Sequence, residues 1–80
     1  MREYLKRLRE ARGFSQQEMA NKIGISKQYY SLIENGERQR KMDITLVSAI
    51  ASIFCIPVEQ IIEAESALVT ATHNTHEIKA

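Results

Sequence analysis

The twenty residues "QQEMANKIGISKQYYSLIEN", Gln16 to Asn35, constrain this chain more than any other stretch. Numbered from Gln16, apolar side chains fall at positions 4, 8, 10, 15 and 18, which are Met19, Ile23, Ile25, Tyr30 and Ile33. That spacing reads as two short helices, each with one apolar face. The gap between them is only "GIS". So short a turn makes the helices cross steeply instead of running antiparallel. Position 5 is Ala20, small enough for a close crossing. Position 9 is Gly24, free to take the left-handed conformation that the turn needs. Ser15 and Glu18 have the spacing of a capping box, with Phe14 and Met19 placed to form the accompanying hydrophobic staple. Ser26 is the expected cap of the following helix, which ends at Asn35-Gly36.

The rest of the chain also reads as helix. Residues 2–12 put Leu5, Leu8 and Ala11 on one face, with Tyr4 beside them, and Gly13 ends the run. After the polar loop "GERQRKMD", Asp43 caps "ITLVSAIASIF", whose broad apolar face is Leu46, Val47, Ile50, Ile53 and Phe54. Pro57 suits the first turn of a fifth helix, "VEQIIEAE", with Val58, Ile61 and Ile62 turned inward. From Ser66 the pattern weakens. Residues 1–65 are therefore expected to form one all-α, five-helix domain, and 66–80 a tail that is flexible or associated with a dimer contact. A chain of 80 residues buries only about 60% of its unfolded surface, so modest stability is expected.

The net charge of +1 hides a division. Residues 1–42 carry ten basic side chains against five acidic, whereas 43–80 carry only Lys79 against five acidic. The front half suits a polyanion and the back half does not. No apolar run approaches the roughly 18 residues of a membrane span, and "MREYLKRLRE" lacks the apolar core of a signal peptide. A cytoplasmic setting is expected, and the single Cys55, inside an apolar run, reads as a buried core thiol.

The helix after Ser26 opens with Lys27, Gln28 and Tyr29, a polar leading edge that a core helix does not need. With this edge the motif "FSQQEMANKIGISKQYYSLIENG" is complete, and it resembles the lambda-repressor-like family of bacterial and phage regulators, also called Cro/C1-type or XRE-type helix-turn-helix domains. "LRE" before the motif and "AIASIFCIPVEQII" after it share the resemblance, which covers roughly 4–63. It implies that the helix enters the major groove of double-stranded DNA by its N-terminal end. Lys27, Gln28, Tyr29 and Leu32 are then the base-reading candidates: Lys27 for guanine O6 or N7, Gln28 for an adenine edge, Leu32 for a thymine methyl. Gln16 at a helix N-terminus, Gln17, Ser31, Asn35, Arg38, Arg40 and Lys41 are the backbone candidates. Ser15 is a weaker one. The competing readings are a solvated helix face and a solvated loop. The loop departs from the family pattern: it lacks the proline of "G-x-R-x-P" and is about two residues longer. The resemblance also pairs Arg9 with Glu34 as a structural ion pair.

No nucleophile stands beside a base and no carboxylate pair or Gly-rich loop marks an active site, so an enzyme is not expected. Nor is a cofactor. His73 and His76 stand three apart with no third ligand, so no metal site is expected. The function that follows is a sequence-specific transcriptional regulator, most simply a repressor. It would bind a roughly palindromic operator as a homodimer through the fifth helix, the rim around Ile56, Val58, Ile61 and Ile62, or the tail. The alternatives are an antitoxin or interaction module that neutralises a partner protein, and a restriction-modification controller.

Overall fold

Four of the five helices start or stop where a local signal tells them to. In the computed structural model, which describes residues 1–73 with side chains up to Leu68, the order is α1 (Glu3–Ala11), α2 (Gln16–Ile23), α3 (Lys27–Asn35), α4 (Ile44–Phe54) and α5 (Val58–His73). No strand occurs among the described residues. Ser15 Oγ accepts the Glu18 N–H at 3.0 Å while Glu18 Oε1 accepts the Ser15 N–H at 2.7 Å, closing the capping box of α2. Ser26 Oγ accepts the Tyr29 N–H at 3.1 Å, and Asp43 Oδ1 accepts the Leu46 N–H at 2.8 Å. Each cap answers an N–H that the helix itself leaves unpaired. Gly24 ends α2 at φ 91°, in the left-handed region. The Gly24 and Ile25 N–H groups both return to the Ala20 carbonyl, which folds the chain straight into α3.

One core holds these pieces together. Leu5, Met19, Ala20, Tyr30, Ile33, Ile50, Phe54 and Ile61 are all at most 1% exposed. Every one of the five helices contributes at least one of them. α2 packs on α3 and α4, α1 on α3, and α4 on α5. Ala20, the small residue expected at the α2–α3 crossing, is fully buried. This arrangement leaves the polar edge of α3 outside a well-packed support, which is what a recognition surface requires.

Four expectations are corrected. Cys55 is exposed, not buried. It closes α4 in the left-handed conformation at φ 55°, and that turn swings its side chain out of the apolar run. Ile62 is 45% exposed, so of the pair Ile61–Ile62 only Ile61 enters the core. Because Ile61 is 1% exposed, it is not free to form an outer rim. α5 does not fray at Ser66 but continues to His73. Once a helix is nucleated each added residue gains a hydrogen bond, and Val69, Thr70 and Thr72 cost only a few tenths of a kcal/mol each. Residues 74–80 of the expected tail, with His76, lie outside the described residues. Pro57 immediately precedes α5, where its carbonyl accepts the Gln60 N–H at 3.0 Å, in keeping with a proline at the helix start.

Candidate nucleic-acid interface

The N-terminal end of α3 is built against its own helix chemistry. Its first turn has no acidic residue, and Lys27 occupies the first position. A cation there opposes the helix dipole by a few tenths of a kcal/mol. Lys27 and Gln28 are exposed, and neither bonds another described residue. With Gln16, Ser31 and Leu32 they line a shallow cleft of about 350 Å³. Leu32 is the one hydrophobic residue among the five that line it. Thus Lys27, Gln28, Leu32, Ser31 and Gln16 come together. Tyr29 does not join them: it is half-buried, packs on the core and accepts a 2.9 Å hydrogen bond from Gln39 Nε2. Asn35 is exposed at the far end of α3, and Arg38, Arg40 and Lys41 are exposed on the loop after it. None of these three has an ion-pair partner among the described residues. Gln17 donates to Asn21 Oδ1 at 3.0 Å along α2, on the exposed surface.

A buried network fixes the orientation of this end. Arg9 Nε donates to Glu34 Oε2 at 2.9 Å and Arg9 Nη2 to Glu34 Oε1 at 3.2 Å. Tyr30 Oη donates to Oε2 at 2.7 Å, and Gln16 Nε2 to Oε1 at 2.9 Å. The Glu34 side chain is 2% exposed. Three helices meet on one carboxylate: α1 through Arg9, α2 through Gln16 at its start, and α3 through Tyr30 and Glu34 itself. Arg9 also donates to the Phe14 carbonyl at 2.9 Å, so it fixes the entry to α2. Gln16 therefore spends one amide hydrogen inside the fold, and its other hydrogen and its carbonyl oxygen remain for the cleft.

Burial drives the Glu34 carboxyl upward, but the hydrogen bonds from Arg9, Tyr30 and Gln16 outweigh it and hold the group below its ordinary value of 4.5. Burial, then the bond to Glu34, push the Tyr30 hydroxyl well above its ordinary 10. The Glu34 bond also raises Arg9. A carboxylate depressed in the fold lends stability that is whole above its unfolded value and is lost as pH falls through the folded one. Melting temperature should accordingly decline as pH drops below about 4.5, less steeply in Glu34→Gln. Equal slopes for the two proteins in a pH series of thermal melts would refute the assignment.

Part of the front-half charge is engaged within the protein. Arg12 Nη2 donates to the Phe54 carbonyl at 2.7 Å and its guanidinium lies 5.7 Å from the Phe54 ring centroid. Lys22 Nζ sits 4.7 Å over the Phe14 ring. Arg2 is 2% exposed and bonds Glu65, a residue 63 positions away. Sequence reasoning missed these roles and that of Gln39; the partners of Arg12 and Arg2 lie 42 and 63 positions away. Lys27 is the cation that lines the cleft, and Arg38, Arg40 and Lys41 are exposed on the loop after α3.

Known proteins are consistent with this geometry. A family model described as "Helix-turn-helix" matches residues 5–61. The uncharacterized HTH-type transcriptional regulator YqaF of Bacillus subtilis (strain 168) is 46% identical over 39 residues, 49% of this chain and 51% of that protein. The match thus spans about half the length of this curated relative. No solved structure matches. No group of His, Cys, Asp or Glu among the described residues is arranged to hold a metal, and no described helix is long and apolar enough to cross a membrane.

Proposed function

The chain belongs to the helix-turn-helix family, and from that premise we propose that it is a DNA-binding transcriptional regulator that reads a duplex with the N-terminal end of α3. The observation that carries the reading is the exposed, unpartnered pair Lys27 and Gln28 at the lip of the α2–α3 cleft, held in place by the buried Glu34 network. Lys27 meets guanine acceptors, Gln28 an adenine edge, and Leu32 a thymine methyl. Asn35, Arg38, Arg40 and Lys41 grip phosphates and fix the register; Gln16, Gln17 and Ser31 assist. Tyr29 supports the loop, and its hydroxyl reaches the DNA only beside Gln39.

One such domain reads few base pairs, so we take the active form to be a homodimer on a palindromic operator. Its half-sites would be about 34–36 Å apart. Ile62, 45% exposed on α5 with Val58 four positions before it, is the residue that favours this pairing. Occupying a promoter would then repress by exclusion of polymerase.

The phosphate grip is tested with Arg40→Ala on a duplex selected by the wild-type protein. Binding should weaken for specific and random duplexes alike, and the log–log salt slope should shrink by about 0.9. An unchanged slope, or a loss confined to one sequence, would remove Arg40 from the backbone contacts.

A further inference from the structure

We infer that Arg2 is a positioning residue for the DNA grip, because its guanidinium ties the basic loop after α3 to Glu65 on α5. The inference rests on the reading of Arg38, Arg40 and Lys41 as phosphate contacts. Arg2 precedes α1 and has no side-chain cap role there. Its side chain is instead spent entirely on other elements. Nη1 donates to the Ile33 carbonyl at 2.6 Å, near the end of α3, and to the Arg38 carbonyl at 3.3 Å. Nη2 donates to the Gln39 carbonyl and to Glu65 Oε1, the latter at 3.1 Å. Nε donates to Glu65 Oε2 at 2.7 Å. All five guanidinium N–H donors are used. The Arg2 backbone N–H adds a 2.8 Å bond to the Glu34 carbonyl. Tyr4 Oη also donates to Glu65, which holds the carboxylate from a second side.

Beside Arg2, the Glu37 and Arg38 N–H groups return to the Leu32 carbonyl and Met42 packs against the core. Residues 37–43 lie between α3 and α4 with no helix or strand of their own. Gln39 adopts φ 56°, a conformation that side chains with a Cβ rarely take unless their surroundings demand it. The demands are visible: Arg2 on its carbonyl, Tyr29 Oη on its amide nitrogen at 2.9 Å, and the Asp43 N–H on its amide oxygen at 3.2 Å. Arg38 and Arg40 flank this bend directly, so the bend fixes where their charges point. Arg2 grips two consecutive carbonyls in it, and its other arm is on α5. A displacement of α5 at Glu65 is therefore carried to the loop cations through one side chain. Lysine cannot replace it. A lysine ammonium offers three donors from one point and cannot span Glu65 and three carbonyls at once.

The test compares the wild-type chain with Arg2→Lys and Glu65→Gln. Two readings are taken, the salt dependence of binding to the selected duplex and the NMR order parameters of Arg38–Lys41 without DNA. In Arg2→Lys the loop order parameters should fall from about 0.85 toward 0.6. The log–log salt slope should shrink by about two as two phosphate contacts are lost, with roughly tenfold weaker binding. The base preference should stay that of the wild type, which partial unfolding would not preserve selectively from affinity. Glu65→Gln should move both readings in the same direction by less. It also decides the matter if Arg2→Lys does not fold. A loop that stays rigid in the folded variants overturns the inference. So does a loosened loop with an unchanged slope. A wild-type chain that binds no duplex in a salt-dependent way instead sinks the DNA reading itself, and the loop measurement then reports only on the tether.

Discussion

Glu34→Ala is expected to destabilise the domain by about 3–5 kcal/mol. The substitution strands Arg9, whose side chain is 11% exposed, and removes the acceptor of Tyr30 and Gln16. Removing one partner of a buried pair costs about 3–5 kcal/mol, because the other charge stays buried without compensation. Folded domains hold about 0.05–0.15 kcal/mol per residue, so a chain of 80 residues has roughly 4–12 kcal/mol in all. The loss is thus of the same order as the whole stability. Urea titration reads it as a fall in midpoint at unchanged slope. The double variant Arg9→Met, Glu34→Leu should be more stable than Glu34→Ala, since it leaves no charge stranded. Additive losses in the double variant, or a loss under about 1 kcal/mol in the single, would show that the network is not what binds α1, α2 and α3 into one orientation.

Gln28→Ala should do the opposite: fold normally and read DNA badly. Gln28 is exposed and has no described protein partner, so its removal should change stability by no more than about 0.5 kcal/mol. A bidentate contact to adenine is worth about 1–3 kcal/mol against the wrong base. That is roughly five- to 150-fold in relative affinity. The loss should be confined to one base pair in each half-site, with the salt slope unchanged, because no phosphate contact is lost. Competition between duplexes differing at that base pair measures it. Relaxation spread evenly over all positions would mean that Gln28 acts on the backbone or on the fold, not on a base.

Local chemistry made most of the fold legible. Ser15, Ser26 and Asp43 are capping residues whose partners lie three positions on, and all three cap as the sequence implies. Gly24 and Ala20 fix the crossing by backbone freedom and by size. The core face of α4 follows from periodicity alone. The errors occur where a tertiary relation or a helix end decides. Cys55 looks buried by composition, yet the left-handed turn that ends α4 points it outward. Ile61 and Ile62 look alike in sequence, but adjacent residues on a helix face directions about 100° apart, so one enters the core and its neighbour meets solvent.

The candidate site was half legible. Lys27 and Gln28 stand out in the sequence as a polar leading edge that a core helix does not need, and both are exposed. The pairing of Arg9 with Glu34 followed from resemblance, and the structure places them in hydrogen-bonding contact. Arg2 gave no signal, since its partners lie 31 to 63 positions away and its charge simply added to the basic front half. Tyr29, a candidate because it lies between the inward and outward faces of α3, is half-buried and its hydroxyl accepts a hydrogen bond from Gln39, a relation that local pattern does not show. Charge counting alone overstates the surface available to DNA.

Selection of duplexes from a random library by the wild-type chain, at two salt concentrations, tests the central claim most directly. The account predicts a roughly palindromic sequence with half-site centres about 10–10.5 base pairs apart, enriched at both salts and bound more weakly at the higher one. Enrichment of no sequence above the non-specific background at either salt would contradict it.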